Sequence, residues 1–191
     1  MNINENTISV GVIGVGAMGQ HHARILASLP GVRLIGVADP DLDRAQSVAS
    51  QYGVPASRDY REMLDQAQAF TIAAPTSLHH AIGMECIRHN AHILVEKPLA
   101  GTVPQATELT AAAAAAGTVL QVGHVERFNP TFSELAKVLA NQRILALEAR
   151  RLSPFVERAA DVSAVFDLMV HDLDLLLDLV KSPVTSIQAV G

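Results

Sequence analysis

The sequence has one cysteine, Cys86, so no disulfide can form within the chain. That usage fits a reducing compartment. Cys86 falls in an apolar helical stretch and reads as a small buried hydrophobe. Positive charge is scarce as well. Lys and Arg total 14 against 19 Asp and Glu, and the formal net charge is −5. Apart from Arg150-Arg151 the basic residues do not cluster, so no nucleic-acid partner is expected. No apolar stretch is long enough to span a bilayer, because each is cut by charge, Gly or Pro. The opening residues, MNINENTISV, lack a basic segment followed by an apolar one, so no secretory leader is read there. A soluble, cytoplasmic protein is expected. His21-His22 and His79-His80 are adjacent pairs, which point in different directions on a helix, so no metal site is expected.

What is present has a globular composition, 49% hydrophobic and 17% charged over 191 residues, enough for one domain and part of another. Apolar runs rich in Val and Ile lie at 8–15, 32–38, 69–74, 92–95 and 118–122. Such unbroken runs suit strands buried on both faces of a parallel sheet. Helix-like stretches lie between them, at about 17–29, 41–52, 59–66, 77–90 and 103–116. The last ends in six alanines and Gly117, a good helix former followed by a good stop. This alternation predicts a doubly wound α/β sheet over residues 1–123. It breaks in residues 124–191, which carry a short helix at 131–140, a strand-like segment at 144–152, an amphipathic helix at about 163–181 and a strand-like run at 184–190. Those residues are expected to begin an α+β domain.

Residues 10–19 read VGVIGVGAMG. Gly14, Gly16 and Gly19 form G-x-G-x-x-G directly after a strand and at the start of a helix, with Ala17 and Met18 inside the motif. Gly14 permits the tight turn, Gly16 lets backbone approach a pyrophosphate, and Gly19 lets helix and strand pack closely. The helix N-terminus then holds the phosphate charge. A second strand ends at Asp39, twenty residues beyond Gly19. An acid there hydrogen-bonds the adenosine ribose and repels a 2′-phosphate, which predicts NAD over NADP on a Rossmann sheet. Asp41 and Asp43 add negative charge nearby, and Arg44 is expected to pair with a carboxylate.

Ligands of open α/β sheets lie beyond the carboxyl ends of the strands. One strand ends Ala74-Pro75-Thr76, followed by His79. Another ends Glu96-Lys97-Pro98, where proline halts the strand and fixes the exit of the chain. These residues are expected on the cofactor side. GVGAMGQHHA, AAPTSLHH, the EKP triplet and DLMVHDLD together resemble the Gfo/Idh/MocA family of nicotinamide-dependent sugar and polyol oxidoreductases. VGHVERFN and EARRLSPF are similar to its nucleotide-sugar branch.

That resemblance implies hydride transfer between NAD and a secondary alcohol of a sugar, with the 3-hydroxyl of a UDP-N-acetylhexosamine as the substrate group. Inositol or a free sugar is the alternative within the family, and an NAD-binding module without turnover is the alternative outside catalysis. The family's lysine falls on Lys97, its histidine on His171 and its aspartate on Asp167. Asp174, three residues beyond His171, is a second candidate partner for that ring. A histidine suits removal of a hydroxyl proton near neutral pH, and a lysine suits charge developing on oxygen. On spacing alone, DLMVHDLDLLLDLV is an amphipathic helix with Leu168, Leu175, Leu176 and Leu179 as its stripe. Arg127 and Asn129 are candidate substrate contacts, with a local ion pair and a helix-starting Asn-Pro as the equal alternative. Family members are longer, with a large antiparallel sheet in the second domain that often builds a homo-oligomer. Residues 124–191 are therefore expected to supply only part of the substrate wall.

Overall fold

The computed structural model describes residues 7–152 and 165–190. The chain divides into two units, Met1–Gly123 and His124–Gly191. The first unit runs β1 (Ile8–Ile13), α1 (Ala17–Ser28), β2 (Val32–Ala38), α2 (Leu42–Tyr52), β3 (Ala56–Ser57), β4 (Ala69–Ile72), α3 (Thr76–Arg88), β5 (His92–Val95), α4 (Val103–Ala116) and β6 (Leu120–Val122). The strands form one sheet in the order β3-β2-β1-β4-β5-β6, and every pairing is parallel. The chain builds outward from β1 to β3, then crosses back to the other side of β1 for β4. That reversal opens a crevice at the carboxyl ends of β1 and β4.

Right-handed crossovers place α1 and α2 on one face and α3 and α4 on the other. The apolar residues divide accordingly. Val12, Ala23, Val37 and Val48 belong to one buried cluster, and Phe70, Ile72, Ile93 and Leu109 to the second. Cys86 lies in the second cluster with no exposed surface, and burial pushes its thiol up to about 12. Helix ends follow local chemistry. Asp41 caps α2 by accepting the Arg44 N–H, and Thr102 caps α4 by accepting that of Gln105. Gly53 and Gly117 close the same two helices in the left-handed conformation, with φ of 65° and 66°. The alanine run of α4 buries Ala113 and otherwise lies at the surface or half-buried.

One strand lies outside the five expected runs, and one expected helix needs correction. Strand β3 is not legible as an apolar run, because it is two residues long and pairs only with β2. The helix expected at 59–66 is a single 3₁₀ turn, Tyr60–Met63. Met63 and Leu64 are buried beneath the sheet, and the Gln68 N–H already donates to Ser9 O, so no length remains for further helical turns.

In the second unit a 3₁₀ turn, Val125–Phe128, leads into α5 (Pro130–Leu139), which Asn129 caps by accepting the Thr131 N–H. A π-helical turn, Val165–Met169, runs into α6 (Val170–Leu179). The segments 144–152 and 184–190 join no sheet among the described residues. A strand needs a hydrogen-bonded neighbour as well as an apolar pattern. Leu145, Leu152 and Ile187 stand 85%, 93% and 84% exposed. Among the described residues no helix is long and apolar enough to cross a membrane, and no group of His, Cys, Asp and Glu is placed to hold a metal ion.

Candidate active site

The crevice in the first unit has a volume of about 850 Å³ and is lined by Gly14, Gly16, Asp39, Arg44, Ala74 and Pro75 among others. The three glycines divide the work as the motif requires. Gly14 has φ of +83°, and a Cβ there would stand 2.7 Å from Ala73 O. At Gly19 a Cβ would stand 1.8 Å from Gly14 O, so only glycine lets α1 begin this close to the turn. A Cβ on Gly16 would meet nothing within 4 Å. The cleft is therefore open where a pyrophosphate must approach the backbone. No side chain caps the N-terminus of α1, whose first N–H groups are thus available to an anion. Ala17 and Met18 are exposed on that first turn, and the residues present fit a dinucleotide.

Asp39 is 5% exposed, and its carboxylate is closely held. Oδ2 accepts the Val15 N–H and Oδ1 the Asp41 N–H, both at 3.0 Å. Arg44 Nη1 lies 3.3 Å from each of the two oxygens, and its Nη2 donates to Asp41 Oδ2 at 3.0 Å. Asp39 thus ties the glycine turn to the end of β2 and keeps a negative group at the cleft. The protein is expected to bind NAD more tightly than NADP. Asp39→Asn, which keeps the shape and removes the charge, should narrow that preference by roughly tenfold, the scale of one charge-assisted hydrogen bond. Calorimetry with both cofactors measures it, and equal or tighter NADP binding by the unmodified protein would contradict the assignment. Arg58 and Tyr60 also line the cleft. Sequence reasoning missed them because it missed β3, the strand that carries the chain to that wall.

At the ends of β4 and β5 the residues separate by role. Ala74 and Pro75 line the cleft, and Thr76 begins α3. His79 is 1% exposed, with Nδ1 2.9 Å from Pro98 O and Nε2 2.8 Å from Ala74 O. Both ring nitrogens therefore face backbone carbonyls. Glu96 is 8% exposed, and His22 Nε2 lies 2.7 Å from its Oε1. Burial raises the Glu96 carboxyl, but the His22 contact and the neighbouring Lys97 outweigh that and hold it below the ordinary carboxylate range. Lys97 is half-buried just beyond, and its bond to Pro98 is cis. The His22–Glu96 pair joins residues 74 apart, and nothing in the local pattern signals it.

In the second unit His171 lies half-buried in the first turn of α6. The backbone of Asp167 is in the π-helical turn, but its side chain is outside the described residues. Asp174, the second candidate partner for the His171 ring, is engaged by Arg127. It is 9% exposed and holds Arg127 in a fork, with Nε at 2.7 Å and Nη2 at 2.6 Å. Arg127 Nη1 also reaches Asp178 Oδ1 at 3.6 Å. A planar guanidinium fits a carboxylate with two parallel bonds, which a ring nitrogen one turn away cannot match. His124 Nδ1 approaches Asp174 Oδ2 at 3.7 Å. Arg127 thus makes a local ion pair and Asn129 caps α5.

A family model described as oxidoreductase family, NAD-binding Rossmann fold, matches residues 8–124. UDP-N-acetylglucosamine 3-dehydrogenase of Acidithiobacillus ferrooxidans is 36% identical over 182 residues, which is 95% of this chain and 57% of that protein. Its solved structure superposes with a TM-score of 0.85 over 92% of this chain and 57% of the other, at 35% identity. Inositol 2-dehydrogenase of Rubrobacter xylanophilus is 32% identical over 91% of this chain and 52% of its own length. A structure of GenD2 from gentamicin A biosynthesis, in complex with NAD, has a TM-score of 0.82 at 28% identity over 91% of this chain and 54% of the other. The chain spans little more than half the length of the curated relatives it matches. With the glycine cradle, the β1/β4 crevice and the family match in agreement, the chain belongs to the Gfo/Idh/MocA oxidoreductases and carries their NAD-binding Rossmann domain.

Proposed function

We propose that the protein is an NAD-dependent dehydrogenase acting on a secondary alcohol of a sugar, namely the 3-hydroxyl of a UDP-N-acetylhexosamine. The observation that carries the substrate class is the 36% identity to a UDP-N-acetylglucosamine 3-dehydrogenase over 95% of the chain. The nicotinamide supplies the redox chemistry. The protein's own tasks are to bind the dinucleotide at Gly14, Gly16 and α1, to place positive charge near the reacting oxygen, and to take the hydroxyl proton. Lys97 is assigned the second task and His171 the third, with Asp167 orienting the ring. Inositol is the second reading, supported by the 32% identity to an inositol 2-dehydrogenase. The single, buried thiol supports a cytoplasmic setting.

The test is reduction of NAD followed at 340 nm across UDP-sugars, free sugars and inositols. Saturable turnover with UDP-N-acetylglucosamine and none with inositols is the expected result. Turnover confined to inositols or free sugars replaces the first substrate by the second. NAD binding without turnover on any of these, by this chain and by a longer form carrying a complete second domain, leaves a cofactor-binding module.

A further inference from the structure

We infer that Lys97 is held in place by two histidines, one from each face of the sheet. The functional meaning rests on the proposal that Lys97 stands beside the cofactor and substrate oxygen. The clamp itself rests on geometry. The Glu96 N–H donates to Ile72 O at 2.9 Å, which is where β5 is last tied to β4. Beyond it, the Lys97 N–H lies 3.3 Å from Glu96 Oε2, so the lysine backbone depends on where that carboxylate sits. The carboxylate is fixed from two sides. His22 of α1 lies 2.7 Å from Oε1, and Gly123 lies so close that a Cβ there would stand 3.0–3.1 Å from the carboxylate atoms.

On the other side of Lys97 the carbonyl of Pro98 faces His79 Nδ1 at 2.9 Å. Nε2 of the same ring lies 2.8 Å from Ala74 O; both carbonyls only accept, so a ring with one N–H bonds one of them and packs against the other, between the β5 and β4 exits. His79 is 1% exposed, so water does not compete for either nitrogen. The residues before and after Lys97 are thus tied to α1 and α3. Those helices are anchored in opposite cores, α1 through Ala23 and α3 through Ile82 and Cys86. An imidazole suits both positions, because it is rigid, planar and donates at a fixed distance from the backbone. His22 and His79 are positioning residues. They act through Glu96 and Pro98 to set the direction from which the lysine side chain leaves the sheet.

The experiment uses selective labelling, which is simple here because the chain has three lysines, Lys97, Lys137 and Lys181. With ¹⁵N-lysine the Lys97 amide is one of three signals. Hydrogen exchange of that amide should rise roughly tenfold in His22→Leu, the scale of losing one charge-assisted contact. His22→Gln returns an N–H to the Nε2 position and should bring exchange back to within about threefold of the parent. His79→Leu should raise exchange similarly. His79→Asn, which keeps a donor near Nδ1, should raise it less, and it serves if the leucine variant does not fold. The Lys137 and Lys181 amides should not change. NAD should displace the parent's Lys97 signal, and His22→Leu should reduce the displacement by at least half. Lys97 exchange that is equal in the parent and all folded variants overturns the clamp, whatever NAD does. A parent Lys97 signal that ignores saturating NAD overturns instead the placement of Lys97 beside the cofactor.

Discussion

Gly19→Ala should abolish measurable NAD binding and lower the melting temperature by roughly 5 °C or more. The added methyl would lie 1.8 Å from Gly14 O, which belongs to the backbone of the phosphate turn and has no flexible end to move aside. Either α1 retreats from the sheet or the turn unwinds, and each destroys the cradle. Retreat also disturbs Ala23, which has no exposed surface. Overpacking of this kind costs about 1–3 kcal/mol, and more where backbone must shift. Gly16→Ala is the control, since its Cβ would meet nothing within 4 Å. It should melt like the parent and still bind NAD much more weakly, because the methyl occupies the approach of the pyrophosphate. Thermal unfolding and calorimetry separate the two cases. A Gly19→Ala protein that melts and binds NAD like the parent would show that the turn is not packed as described.

The second large effect is on turnover. With the sugar identified by the substrate screen, Lys97→Ala and His171→Ala should each lower kcat by about a hundredfold or more, as expected when a positioned proton-transfer or charge-stabilising group is removed. NAD affinity should largely survive the histidine change, because His171 lies outside the unit that carries the glycine cradle. Steady-state kinetics with cofactor titration measures both. If His171→Ala keeps near-normal turnover, the residue is only part of the polar face of α6.

The sheet was legible because its strands are buried on both faces and read as unbroken apolar runs, as with Val10, Val12 and Ile13. The glycine turn was legible because its three glycines keep a fixed local spacing directly after a strand; Gly14 and Gly19 leave no room for a Cβ, and Gly16 faces open space. Strand β3 was not, since two residues carry no period and its existence depends on β2. The segments 144–152 and 184–190 show the reverse case, an apolar pattern that has no paired neighbour among the described residues. Site residues divide along the same line. Gly14, Gly16, Asp39, Ala74 and Pro75 were placed by motif and do line one cleft. His22 and Glu96 meet across 74 residues, and Asp174 meets Arg127 across 47. Contacts at that separation follow from packing, which no short window of sequence contains.

Cys86 has a practical consequence. It is the only thiol in these 191 residues, it has no exposed surface, and its high proton affinity leaves almost no thiolate at neutral pH. Maleimide and iodoacetamide dyes should therefore leave the native chain unlabelled. A cysteine introduced at an exposed position, such as Val103 at 79% or Val138 at 70%, becomes the sole point of dye attachment without removal of the natural cysteine. Placing one in each unit, at Val103 and Val138, gives a donor–acceptor pair whose energy transfer reads the distance between the units as NAD is added.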